Sequence, residues 1–149
     1  MNQNIVLIEP EIPNNTGNIG RLCLATNSTL HLVKPFGFEI TDKKLKRAGL
    51  DYWPHIDLKI YENVEAFFEL HQNKKFAFFS SKATKSFWEL PYEENPFLVF
   101  GKESVGLSES ILSKYPNDQY QIPLYNEKIR SLNISNAVAI AVYEGLRKG

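Results

Sequence analysis

Short apolar runs recur along the chain, each closed by a polar or glycine-bearing stretch, and between them lie segments whose apolar residues return every three or four positions. Ile5 to Ile8, Leu30 to Val33, Phe76 to Phe79 and Phe97 to Phe100 are apolar almost throughout, the pattern of strands buried on both faces. Leu58 to Tyr61 is a weaker strand, and Tyr120 to Ile122 a last one that ends at Pro123. Helical spacing marks Asn18 to Thr26, where Ile19, Leu22, Cys23 and Thr26 face inward, and Val64 to Leu70, with Val64, Phe67, Phe68 and Leu70 apolar. Asp42 to Ala48 and Glu109 to Lys114 read as short helices. The final helix is the clearest: Ile134, Ala137, Val138, Ala141 and Val142 form one stripe, and Ser131 or Asn133 stands ready to cap its start.

Strands therefore alternate with helices from end to end. That order predicts an α/β domain with a mostly parallel sheet of five or six strands and helices on both faces. It runs as a single domain over residues 1–149, without internal repeat or linker. Two prolines stiffen the loop Pro10 to Asn15, and Ala83 to Pro96 reads as irregular.

Composition and charge add to this picture. With 43% hydrophobic and 13% aromatic residues, 149 residues suffice for one substantial core. Seventeen basic residues balance seventeen acidic ones, so no global charge points to nucleic acid. The dense basic run is Lys43, Lys44, Lys46 and Arg47, near Tyr52 and Trp53, either a solvated helix face or an RNA-backbone contact. A lone cysteine, Cys23, forms no intrachain disulfide and reads as a buried thiol in a reducing compartment. No run is long enough to span a membrane, and the start carries no basic-then-apolar leader, so the expectation is a cytoplasmic protein without a membrane partner. His31, His55 and His71 are not spaced with Cys or carboxylates as metal ligands, so no metal is expected.

Candidate chemistry gathers in three loops that follow strands: Asn15-Thr16-Gly17-Asn18-Ile19-Gly20-Arg21, Gly101-Lys102-Glu103-Ser104-Val105-Gly106-Leu107, and Arg130-Ser131-Leu132-Asn133-Ile134-Ser135-Asn136. In a parallel sheet all three reach the carboxyl edge, where open α/β proteins bind ligands. Taken singly they have bland readings: Gly17 and Gly20 as a tight turn, Gly101 as a residue of positive φ, and the Ser/Asn cluster as helix caps. A dinucleotide-binding turn would need a further glycine beside Gly17 and Gly20, and Gly101-Lys102 lacks the upstream glycine of a phosphate-binding loop, since Pro96 stands there. A non-catalytic RNA-binding module would use the basic helix but leave the glycine loops unexplained.

Taken together and in order, the loops resemble the three signatures of the SpoU branch of the SPOUT RNA 2′-O-ribose methyltransferases: Asn-x-Gly-x-x-x-Arg, Phe-Gly-x-Glu-x-x-Gly-Leu, and Ile-Pro-Leu followed by Ser-Leu-Asn-Ile-Ser-Asn-Ala. The segments Glu9-Pro10-Glu11-Ile12-Pro13 and Lys46-Arg47-Ala48-Gly49-Leu50-Asp51-Tyr52 resemble the small tRNA (cytidine/uridine-2′-O)-methyltransferases that modify the anticodon wobble nucleotide. Lys102 departs from them, standing where those relatives usually carry proline. The resemblance implies a deep C-terminal trefoil knot, a homodimer whose subunits share each site, S-adenosylmethionine as methyl donor and tRNA as substrate. By position it implies cofactor contacts at Phe79, Gly101, Ile122, Leu124, Ser131 and Leu132, and assigns Arg21, Asn133 and Glu103 to catalysis and substrate placement. A guanidinium, with pKa above about 12, is a poor base, so Arg21 is read as a phosphate clamp and oxyanion stabiliser. Another tRNA or rRNA ribose is the alternative target.

Overall fold

The structure, a computed structural model, describes residues 2–40 and 51–149. The basic run Lys43, Lys44, Lys46 and Arg47, read as part of a helix, lies outside the described residues.

Among the described residues seven strands form one sheet: β1 (Asn4–Ile8), β2 (Thr29–Val33), β3 (Leu58–Tyr61), β4 (Phe76–Phe79), β5 (Lys85–Ser86), β6 (Phe97–Phe100) and β7 (Gln119–Gln121), in the order β3-β2-β1-β6-β4-β7-β5. Every pairing is parallel. Among the described residues four α-helices accompany them: α1 (Pro13–Ala25), α2 (Val64–Leu70) and α3 (Glu109–Leu112) between strands, and α4 (Ile134–Lys148) after the last. Because side chains alternate along a strand, Ile5 and Leu7 of β1 join a core with Ile19 of α1 and Val138 and Ala141 of α4, while Val6 and Ile8 join another with Phe67 of α2 and Ile111 of α3. Both faces are thereby covered, which is why the central strands are apolar throughout.

Two departures from the sequence reading have physical causes. The seventh strand, β5, lies in the segment read as irregular; two residues, Lys85 opposite Tyr120 and Ser86 opposite Gln121, are too few to show a period. Helix α1 begins at Pro13, five residues earlier than the apolar spacing suggests. Proline is at home there, since its fixed φ suits the first turn and its missing N–H would have no helical partner. Asn15, Thr16 and Gly17 are consequently buried helix residues, not loop residues.

Strand β7 lies between β4 and β5, two parts of one stretch of chain. The chain reaches β7 from α3 on one face of the sheet and continues to α4 on the other.

Two histidines far apart in sequence meet beneath α2. His31 is buried, with its Nδ1 2.8 Å from the Tyr61 hydroxyl and its Nε2 2.8 Å from Asn4 Oδ1, and the Tyr61 hydroxyl is 3.0 Å from His71 Nε2. Burial, then the nearby His71 and Lys59, push His31 down to about 4. The unfolded chain titrates near pH 6.5 and thus binds a proton that the folded chain refuses, so stability is full above that pH and declines as pH falls toward 4. Urea denaturation should show His31→Gln losing less stability than the parent between pH 7 and 5, by roughly 2 kcal/mol. Equal losses in both proteins would refute this assignment. Cys23 is likewise buried, and burial raises its thiol to about 12, leaving it inert.

Candidate functional site

Strands β1, β6, β4 and β7 end at the same edge, and the chain leaving them encloses a cavity of about 520 Å³. Phe79 forms part of its wall, stacked on Phe100 with ring centroids 4.6 Å apart. Gly101, Glu103, Ile122, Leu124, Ser131, Leu132 and Asn133 also line it, so eight of the nine residues singled out for cofactor binding or catalysis converge. The ninth, Arg21, does not line the cavity. It is exposed on α1 beside Tyr52, on whose phenol its charge acts, and the Tyr52 hydroxyl donates to Gly17 O at 2.7 Å. Trp53, the aromatic noted beside the basic run, is buried against Gly20, where an added Cβ would lie 2.6 Å from its ring.

Polar contacts join the loops around this cavity. The Glu103 carboxylate accepts hydrogen bonds from the Glu11 N–H (2.9 Å) and Ile12 N–H (2.8 Å) at the start of α1, and from Asn15 Nδ2 (3.3 Å). Asn15 Oδ1 accepts in turn from Asn133 Nδ2 at 3.2 Å. Asn133 Oδ1 caps α4, accepting from the Ser135 N–H at 2.8 Å and the Asn136 N–H at 3.4 Å. A negative carboxylate at the start of α1 is also favoured by the helix dipole. Lys102, the departure noted above, pairs with Glu9 at 3.6 Å.

Gly101 does not have the positive φ considered from sequence; it is needed because its own loop packs closely on it. A Cβ there would fall 2.2 Å from both Gly106 C and Leu107 N. The loop folds back on itself, with the Gly106 N–H donating to Lys102 O at 2.8 Å. Asn15, Glu11 and Ser104 were not picked out singly from sequence; their contacts join residues some ninety or more positions apart, which no local pattern reveals.

The SpoU rRNA Methylase family profile matches residues 2–143. The chain belongs to this family. A Bacillus subtilis (strain 168) protein, provisionally named a tRNA (cytidine(34)-2′-O)-methyltransferase, is 45% identical over 97% of this chain and 91% of its own length. The Yersinia pestis tRNA (cytidine(34)-2′-O)-methyltransferase is 44% identical over 97% and 93%. A solved structure concerned with 2-OH methylation of C/U34 on tRNA shares 41% identity, with a TM-score of 0.89 over 97% of this chain and 94% of that one. The AdoMet-bound rRNA methyltransferase from Sinorhizobium meliloti, 21% identical with a TM-score of 0.86 over 99% of this chain and 56% of that one, shares the fold.

In this SpoU-family chain the cavity suits a nucleoside-sized ligand with an apolar body. Leu107, Ile122, Leu124 and Leu132 supply apolar wall. Among the described residues no hydrogen bond engages the main chain of Leu124, Ser131 or Leu132, which leaves donors and acceptors free at the rim. No group of three His, Cys, Asp or Glu is placed to hold a metal, and no helix is long and apolar enough to cross a membrane, among the described residues.

Proposed function

We propose that the protein transfers a methyl group from S-adenosylmethionine to the ribose 2′-hydroxyl of the wobble nucleotide, cytidine or a modified uridine, of tRNA. The observation that carries this reading is the convergence of the second and third signature loops, and of Asn15 from the first, on one cavity. The relatives named for cytidine 34, at 44–45% identity over nearly the full chain, support the choice of nucleotide.

The residues fit the donor. Phe79, Ile122, Leu124 and Leu132 offer an apolar slot, and free main-chain groups at its rim suit the edge of an adenine. When bound, S-adenosylmethionine supplies a methyl group on a sulfonium, open to in-line attack. Asn133, held by Asn15 and by its capping bonds, presents a fixed side chain at the cavity wall for placing the ribose. Glu103 orders the start of α1, since its oxygens are already engaged there. Arg21 clamps the neighbouring phosphate and stabilises the developing oxyanion, with the proton passing to phosphate or water.

The proposal includes a homodimer, because Arg21 stands outside the cavity of its own chain and a partner can bring its copy to it. The outward stripe Ile140, Tyr143 and Leu146 on α4 supports such an interface. The trefoil knot belongs to the same reading, supported by the passage of the chain through β7 between β4 and β5. A cytoplasmic location follows from the tRNA substrate.

The test combines titration with S-adenosylhomocysteine and mass-spectrometric mapping of tRNA transcripts after incubation with the methyl donor. Micromolar binding and a 2′-O-methyl at position 34 are expected. Methylation at another ribose would overturn the wobble assignment, and no binding by folded protein would overturn the methyltransferase reading.

A further inference from the structure

The loop over 101–107 forms one wall of the cavity, yet Ser104, Val105 and Gly106 at its tip are exposed. An exposed tip needs a tether if the wall is to keep its shape. The Glu11 carboxylate provides one, accepting from the Ser104 N–H at 2.8 Å and from the Ser104 hydroxyl at 3.0 Å. These bonds, the main-chain one first, hold the Glu11 carboxyl below its ordinary value.

Position 11 is itself fixed from two other sides. Its N–H is taken by Glu103, the residue preceding Ser104. Its backbone lies against Gly37, where an added Cβ would come 2.7 Å from Glu11 O and 2.8 Å from Glu11 Cα. The turn holding Gly37 is joined to the same segment by the Gly37 N–H donating to Pro10 O at 2.9 Å. The two glutamates thus exchange roles: each carboxylate grips the main chain beside the other.

We propose that Glu11 is a positioning residue for the transfer reaction, its carboxylate holding Ser104 so that the 101–107 wall keeps the shape that receives the methyl donor. This rests on the methyltransferase reading above. Glu11 does not line the cavity, so its effect is exerted through the loop.

The experiment compares Glu11→Ala, Glu11→Gln and Ser104→Ala in the full chain, by S-adenosylhomocysteine titration, steady-state kinetics with tRNA and amide hydrogen exchange. Glu11→Ala should weaken S-adenosylhomocysteine by about tenfold or more, the scale of losing charge-assisted hydrogen bonds, and raise KM for the donor by more than it lowers kcat. Glu11→Gln keeps an acceptor oxygen and should lose less. Ser104→Ala keeps the N–H contact and should also lose less, and Glu11→Ala with Ser104→Ala should be no worse than Glu11→Ala alone. Faster exchange at the Ser104 amide in Glu11→Ala is expected whether or not the donor binds. If wild-type protein fails to bind S-adenosylhomocysteine but this exchange accelerates, the methyltransferase reading falls and the tether stands as a structural one. Unchanged exchange and affinity within twofold of wild type would overturn the proposal, as would a fall in Tm with unchanged affinity.

Discussion

Replacing Arg21 with lysine should lower turnover by about 10²-fold or more, the scale of removing one preorganised donor from a developing oxyanion, while S-adenosylhomocysteine affinity stays within about threefold of wild type. The split follows from geometry. Arg21 is exposed on α1 and absent from the cavity lining, so its loss leaves the donor slot intact. Lysine preserves the charge but not the planar fork that grips a phosphate through two bonds. A mixed dimer sharpens the test. If Arg21 acts across the interface, an Arg21→Ala protomer retains a sound donor cavity, and a partner crippled in that cavity retains its arginine. Mixing two such inactive proteins should restore activity to about a quarter of wild type, because half the dimers are mixed and each holds one complete site. No recovery from a confirmed mixture would place Arg21 in the site of its own chain or outside catalysis. Near-normal turnover in Arg21→Lys would remove it from the mechanism altogether.

The sheet was legible because strands buried on two faces must be apolar throughout, and Phe76 to Phe79 and Phe97 to Phe100 are. The order of strands was not legible: β6 lies between β1 and β4 although residues 80–96 separate it from β4, and apolar runs carry no address. The start of α1 was misplaced because Pro13 and Asn14 lack apolar periodicity, and its N-terminal segment is held by Glu103, some ninety residues away. Site residues were legible as types within motifs. Their work was not: Glu103 stood out as an acidic motif residue, but the structure shows it engaged by the start of α1, and only the fold brings Glu11 to Ser104. Arg21 shows the opposite limit, for the motif names it yet the fold of its own chain leaves it outside the cavity.

Gly101→Ala should cost about 3 kcal/mol or more of stability and abolish measurable S-adenosylhomocysteine binding, since the added carbon meets main chain that cannot swing away as a side-chain tip would. Its contacts would be 2.2 Å to Gly106 C and Leu107 N, and 2.6 Å to Gly106 O. Relief requires the loop to lift, which breaks the Gly106-to-Lys102 bond and strains the tether between Ser104 and Glu11. Gly106→Ala is the instructive control, because it lies in the same loop and fails for a different reason. A Cβ there enters open space, but φ is +73°, in the left-handed region. That conformation costs an alanine about 1 kcal/mol, so the wall should survive and affinity fall only modestly. Urea denaturation and S-adenosylhomocysteine titration of the two variants decide the matter. Equal losses would mean that both glycines serve only chain flexibility. A large loss at Gly101 alone identifies close packing of the loop on itself as what shapes the donor cavity, with Glu11 and Glu103 holding that packed loop against the start of α1.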